Sequence, residues 1–298
     1  MERKKLRIIG CAVLLLAIGA AGAYHFLVER AADRVAPVIE VPADTFSITM
    51  DTPVSSLLSG VTAFDDRDGD LTNRIFVEKI SKFVAPGKSH ITFAAVDASG
   101  NVGKKQCTVI WSDYVSPQFD LKQPLRFSSA ERINVLDRIT AVDRLDGDIS
   151  NHVKMTLLSG TLAGVGNAEA EVRVTNSMGD TVSLAVNVEI FEASDLNAIY
   201  APEIMLNKYI LYLSETEPFI PETMVEGIKV RYVGTQAAAL GITEEDTVVM
   251  PEQYGKNRIR ITCETDLSAV GVHEVRYTTS LDGYSGGTTL YVVRGGDA

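Results

Sequence analysis

The chain has 298 residues, 46% of them hydrophobic and 7% aromatic, with a formal net charge of −11 at pH 7. That length allows two or three domains. Beyond the first seven residues the chain holds no Lys/Arg cluster, so its acidic surface argues against nucleic acid and anionic headgroups as partners.

The N-terminus opens with Arg3, Lys4, Lys5 and Arg7, followed by an apolar run from Ile8 to Val28 whose only Asp, Glu, Lys, Arg or His is His25. A run of this length can span a bilayer, and the basic flank places the N-terminal end in the cytoplasm. The organisation expected is a cytoplasmic basic segment 1–7, a transmembrane signal-anchor 8–28 and a linker 29–35, with everything beyond exported from a bacterial cytoplasmic membrane. The alternative is secretion after cleavage before Tyr24, because Ala21-Gly22-Ala23 is a small-residue cleavage pattern. Ile8-Ile9-Gly10-Cys11 is not read as a lipobox, since most of the apolar run follows Cys11.

From residue 37 onward strand patterns dominate. Phe46 to Met50 alternates, Val182 to Ile190 places its large aliphatics on one face, and Ile228/Val230/Tyr232 and Ile259/Ile261/Cys263 alternate with polar neighbours. Only Thr235 to Gly241 reads as a short helical turn. Ala36-Pro37, Ser116-Pro117 and Ala201-Pro202 each precede an apolar strand, as suits a residue without a ladder donor at the start of an edge strand. These prolines mark domains at 36–114, 115–195 and 196–298. Cys107 and Cys263 fall in different domains, so neither has a partner for a disulfide within its own domain.

The first two domains are copies. Val61 to Ile75 (V-T-A-F-D-D-R-D-G-D-L-T-N-R-I) returns as Ile139 to Val153 (I-T-A-V-D-R-L-D-G-D-I-S-N-H-V), with seven identical positions. Ala85-Pro86-Gly87 then corresponds to Gly164-Val165-Gly166. A period of about 80 residues exceeds that of solenoid repeats and suits one small sandwich domain. The third domain lacks the D-G-D turn and places 43 residues between Gly227 and Gly271, against 26 between Gly60 and Gly87, as a diverged sandwich with a longer loop or added strands would.

The shared motif, continued by a P-G or V-G turn and by Val96-Asp97-Ala98-Ser99-Gly100-Asn101-Val102, resembles the bacterial Ig-like domains of Gram-positive surface proteins, related to those of some pesticidal crystal proteins. The likeness covers 37–111 well and 117–191 less closely, and beyond 201 it is architectural. It implies a seven-stranded sandwich used as a spacer or adhesion module and implies no reaction. The fold class expected is therefore all-β: tandem immunoglobulin-like β-sandwiches behind one N-terminal transmembrane helix.

Two features hold candidate site residues. Asp65, Asp68 and Asp70 recur as Asp143, Asp146 and Asp148, and three carboxylates within six residues could hold Ca²⁺, which takes six to eight oxygen ligands. A purely structural turn is favoured instead: Gly69 and Gly147 take a positive φ, and the aspartates accept backbone N–H bonds. The spacing is not that of an EF-hand, and Asp66 becomes Arg144. In the third domain Tyr254 and Tyr284 read as loop aromatics that could stack on a sugar. Trp111 alternates with Cys107 and Val109 as a core or interdomain residue.

Catalysis finds no support. Gly283-Tyr284-Ser285-Gly286-Gly287 matches G-x-S-x-G, but a strand follows it and no later histidine exists. His25, His90, His152 and His273 have no metal-ligand spacing. The chain is expected to be a non-catalytic, membrane-anchored extracellular spacer or adhesin-like protein without a cofactor, meeting a protein or glycan at the cell surface. The alternative is a carbohydrate-binding module acting through loops of the third domain.

Overall fold

A computed structural model describes residues 13–26 and 33–295 of the chain. Residues 13–26 form a helix, α1, with exposed side chains. No helix among the described residues is long and apolar enough to cross a membrane. The expected span 8–28 extends past them at both ends.

The rest is mostly β, arranged as three pairs of sheets. In the first pair, β1 (Val38–Glu40), β3 (Thr62–Asp65) and β4 (Gly69–Asp70) form one sheet. β2 (Thr45–Ile48), β7 (Val102–Trp111), β6 (Lys88–Val96) and β5 (Phe76–Ile80) form the other, in that order. The second pair repeats this order with β8 (Gln118–Leu121), β10 (Ile139–Asp143) and β11 (Gly147–Asp148) against β9 (Arg126–Ser128), β14 (Thr181–Phe191), β13 (Gly166–Thr175) and β12 (Lys154–Ser159). The third repeats it again: β15 (Glu203–Leu206), β17 (Val225–Val230) and β18 (Thr247–Val249), then β16 (Ile210–Leu213), β21 (Tyr284–Arg294), β20 (Gly271–Leu281) and β19 (Arg260–Cys263). The divergent third sequence thus keeps the sheet order of the copies. Its extra length supplies two short helices, α3 (Thr235–Ala239) and α4 (Pro251–Tyr254), on either side of β18; an earlier one, α2 (Leu196–Tyr200), precedes β15.

The alternation seen in the sequence decides which faces are buried. In β14, Leu184, Val186, Val188 and Ile190 point inward, and in β20 the inward set is His273, Val275, Tyr277, Thr279 and Leu281. Each large aliphatic fully buried contributes about 1.5–3 kcal/mol before chain entropy is counted.

The chain divides into two compact units, residues 1–81 with 89–110, and residues 82–88 with 111–298. The second unit therefore contains two sheet pairs, and these share one apolar core running from Phe119, Val172 and Val186 to Ile204, Tyr277 and Tyr291. Polar ties cross the same contact. The Phe119 amide donates to Tyr212 Oη at 2.7 Å, the Asn187 amide to Tyr291 Oη at 2.8 Å, and the Asn187 side chain to Glu274 at 2.8 Å. Burial pushes both phenols up to about 12, although the amide donated to each works the other way.

Candidate functional site: the acidic turns and a tyrosine cluster

In the first unit β3 ends at Asp65, which pairs with Gly69 across a three-residue hairpin loop. Gly69 has φ +74, the left-handed conformation that closes such a loop. Asp65 Oδ1 accepts the backbone N–H groups of Arg67 and Asp68, both at 2.9 Å, which fixes the loop. Asp70 turns the other way: its Oδ1 accepts the Thr72 amide at 2.9 Å, and the Thr72 side chain followed by that amide holds its carboxyl below the usual carboxylate range.

Asp65 is 1% exposed, and its second oxygen, Oδ2, is buried with no hydrogen-bond partner among the described residues. Asp68 reaches from the loop to accept the Ala98 amide at 2.6 Å. That contact brings in Asp97, 5% exposed at the end of β6. Burial pushes the Asp97 carboxyl up, but hydrogen bonds from the Asn101 side chain and nearby backbone amides outweigh it and leave it lowered. Carboxylate oxygens of Asp65, Asp68 and Asp97 lie within 4.8 Å of one another, and so do those of Asp33, Asp65 and Asp66. Asp33 Oδ2 is also buried, without a hydrogen-bond partner among the described residues. Asp97 and Asp33 escaped the sequence reading, and Asp70 stands outside both groups.

The second copy has the same hairpin and a different interior. Asp143 pairs with Gly147, whose φ is +73, and its Oδ1 accepts the Leu145 and Asp146 amides at 2.8 and 3.0 Å. Its Oδ2, however, accepts the side-chain amide of Asn176 at 3.1 Å. Asn176 is the counterpart of Asp97. Asp146 accepts the Ser177 amide and hydroxyl, one on each oxygen, at 2.6 and 2.7 Å, and Asp148 accepts from Ser150 as Asp70 does from Thr72. Arg144, in place of Asp66, pairs with Asp113 at 2.7 Å. Among the described residues no carboxylate cluster of metal-binding size forms in this copy. Here all three aspartates of the turn accept from protein donors.

No protein-family model matches the chain. An "Uncharacterized 81.3 kDa protein" of Acholeplasma phage L2 is 28% identical over 168 residues, which is 53% of this chain and 22% of that protein. The chain thus spans about a fifth of that relative's length. Solved structures similar to it include the carbohydrate-binding module CBM51-2 in complex with GlcNAc and INT domains from Clostridium perfringens ZmpB, at 16% identity and TM-score 0.21, covering 50% of this chain and 26% of that one. Drosophila N-cadherin EC1-4 is similar at 14% identity and TM-score 0.21, covering 88% of this chain and 76% of that one. At TM-scores of this size neither likeness bears on fold or ligand, which rest on the chain's own sheets and side chains.

In the third sheet pair the two loop tyrosines part company. Tyr254 is 0% exposed, packed among Ile228, Ile242 and Leu281 with its hydroxyl 2.9 Å from Thr279. It is a core residue and cannot stack on a ligand, because the helical turn α4 points it inward. Tyr284 instead sits half-buried at the start of β21, where Tyr200 from the end of α2 and the exposed Tyr232 beyond β17 join it. Ring centroids are 5.4 Å apart for Tyr200/Tyr232, 5.5 Å for Tyr200/Tyr284 and 5.3 Å for Tyr232/Tyr284.

The G-x-S-x-G segment is a β-hairpin. Leu281 pairs with Tyr284 across Asp282-Gly283, both at positive φ, as the primed two-residue turn requires. Ser285 lies on the outgoing strand opposite Ser280, away from any strand-to-helix elbow. His273 is held by Thr265 and the Ala269 carbonyl, both at 2.7 Å, and no histidine belongs to a ligand cluster among the described residues. A cavity of the second unit, about 720 Å³, is lined in part by Arg126, Arg258, Arg260 and Arg276; Arg126 pairs with Glu189 and Arg276 with Glu274. Cys107 and Cys263 are free thiols.

Proposed function

We propose that the chain is a non-catalytic surface protein in which tandem bacterial Ig-like sandwiches, anchored by the apolar segment 8–28 with the N-terminus inside, present a recognition surface outside a bacterial membrane. The observation that carries this reading is the convergence of Tyr200, Tyr232 and Tyr284 from three separate elements onto one patch of the third sheet pair. Tyrosines bury large contact area at low entropy cost and dominate interface energetics. The rings are inclined to one another by 55°, 55° and 72°, so they do not form one flat platform for a chain of sugar rings. This favours a protein partner over a glycan. The helical conformation of residues 13–26 supports the anchor, as does the basic flank before it.

The test uses the full chain produced in bacterial membranes. Carbonate-resistant fractionation and digestion of everything beyond about residue 32 by external protease are expected for the anchored topology; a soluble form starting at Tyr24 would refute it. Tyr232→Ala and Tyr284→Ala are expected to weaken capture of envelope proteins at least tenfold without changing the far-UV spectrum. Capture that survives both substitutions, or selective retention on cell-wall glycans, would overturn the protein-recognition reading.

A further inference from the structure

We propose that the first acidic turn is a Ca²⁺ site, centred on Asp65 and built from Asp68 and Asp97 with Asp33 and Asp66 beside them, and that the second copy has lost it. The evidence is the interior of the turn rather than its acidity. Asp65 is almost wholly buried, and one of its oxygens, itself buried, has no hydrogen-bond donor among the described residues. A buried carboxylate oxygen left in that state is costly, and the common remedies are a donor, a proton or a cation. Further carboxylates, those of Asp68 and Asp97 and of Asp33 and Asp66, reach within 4.8 Å of Asp65 and repel a charge on it. A cation supplies what they lack.

The geometry fits a large, hard ion. Ca²⁺ binds oxygen at about 2.3–2.6 Å, so two ligands on opposite sides of one ion stand about 4.6–5.2 Å apart. Oxygens of Asp65, Asp68 and Asp97 lie within 4.8 Å of one another, and Asp33, Asp65 and Asp66 meet the same limit around the shared residue. Asp33 contributes a second buried oxygen that has no partner among the described residues.

The second copy is an internal control made by the same fold. There Asn176 replaces Asp97 and donates to the very oxygen of Asp143 that is bare in Asp65, while Arg144 replaces Asp66 and pairs with Asp113, the residue that corresponds to Asp33. One substitution supplies a neutral donor and another supplies a fixed positive charge. Together they do the ion's work with protein groups.

The experiment titrates CaCl₂ into EGTA-stripped full-length protein by calorimetry, with thermal melts in chelator and in Ca²⁺. Saturable binding with a dissociation constant of about 10⁻³ M or tighter is expected, together with a rise in melting temperature. Asp65→Asn and Asp97→Asn should each weaken binding at least tenfold, whereas Asp143→Asn and Asp146→Asn should leave it within twofold. Asp97→Asn installs the residue that the second copy already carries, so it decides the matter even if Asp65→Asn fails to fold. No binding and no thermal shift in the unsubstituted protein would overturn the proposal. So would binding that persists in Asp97→Asn, or that is lost only in the second-copy variants.

Discussion

Asn176 donates its side-chain amide to the buried Oδ2 of Asp143 at 3.1 Å, and the same amide donates to Tyr114 Oη at 2.8 Å. Tyr114 in turn donates to Asp180 at 2.7 Å, and the Asp180 amide donates back to Asn176 Oδ1 at 2.9 Å. This closed set of bonds needs a neutral donor at position 176. Asn176→Asp removes that donor and adds a charge beside Asp143, so a loss of about 1–3 kcal/mol is expected, read as a lower urea midpoint in chelator. A midpoint within error of the parent would show that the network is not held by the amide.

Tyr212 and Tyr291 join the two sheet pairs of the second unit, and burial raises both phenols to about 12. A phenol raised in the folded state from about 10 in the unfolded chain contributes stability that is present below pH 10 and lost as pH rises toward 12. Denaturant stability should therefore fall across about pH 10–12, and Tyr291→Phe should make that fall shallower while costing about 1 kcal/mol at neutral pH through the unsatisfied Asn187 amide. An unchanged alkaline slope would argue that the shared core opens before these phenols ionise.

Gly103 and Gly286 lie against the carbonyl groups of Pro37 and Pro202, so an added Cβ would overlap backbone at both places. Gly103→Ala and Gly286→Ala should each lower stability by about 1–3 kcal/mol. Gly164, with nothing within 4 Å of an added Cβ, is the control, and Gly164→Ala should be near neutral. Equal effects at all three positions would mean that close approach to the proline carbonyls does not set the cost.

Asp282, at φ +51 in the hairpin turn, accepts the amides of Gly234, Gln236 and Ala237 at 3.1, 2.7 and 3.0 Å and so caps the helix α3 from a distant part of the chain. Asp282→Ala should cost about 2–3 kcal/mol in global stability. Hydrogen exchange at residues 235–239 should rise by more than at β20 and β21; uniform acceleration would place the loss in the hairpin instead.

The repeated fifteen-residue stretch by itself showed the kinship of the first two sheet pairs, and period-2 patterning determined β14 and its inward face, because side chains alternate across a strand whatever it packs against. The D-G-D hairpins were legible for the same local reason: Asp65 and Gly69, like Asp143 and Gly147, close their loops with contacts two to four residues apart. Whether a carboxylate in such a turn is satisfied was not local. It depends on Asp97 or Asn176, about 32 residues away along the chain, and only the meeting of the β3 and β6 ends, or of the β10 and β13 ends, brings those groups together. The third sheet pair shows the same division. Tyr254 and Tyr284 look alike as residues of glycine-flanked loops, yet the tertiary structure buries one beneath a short helix and sets the other beside Tyr200 and Tyr232, because burial is decided by what the rest of the chain lays over a residue.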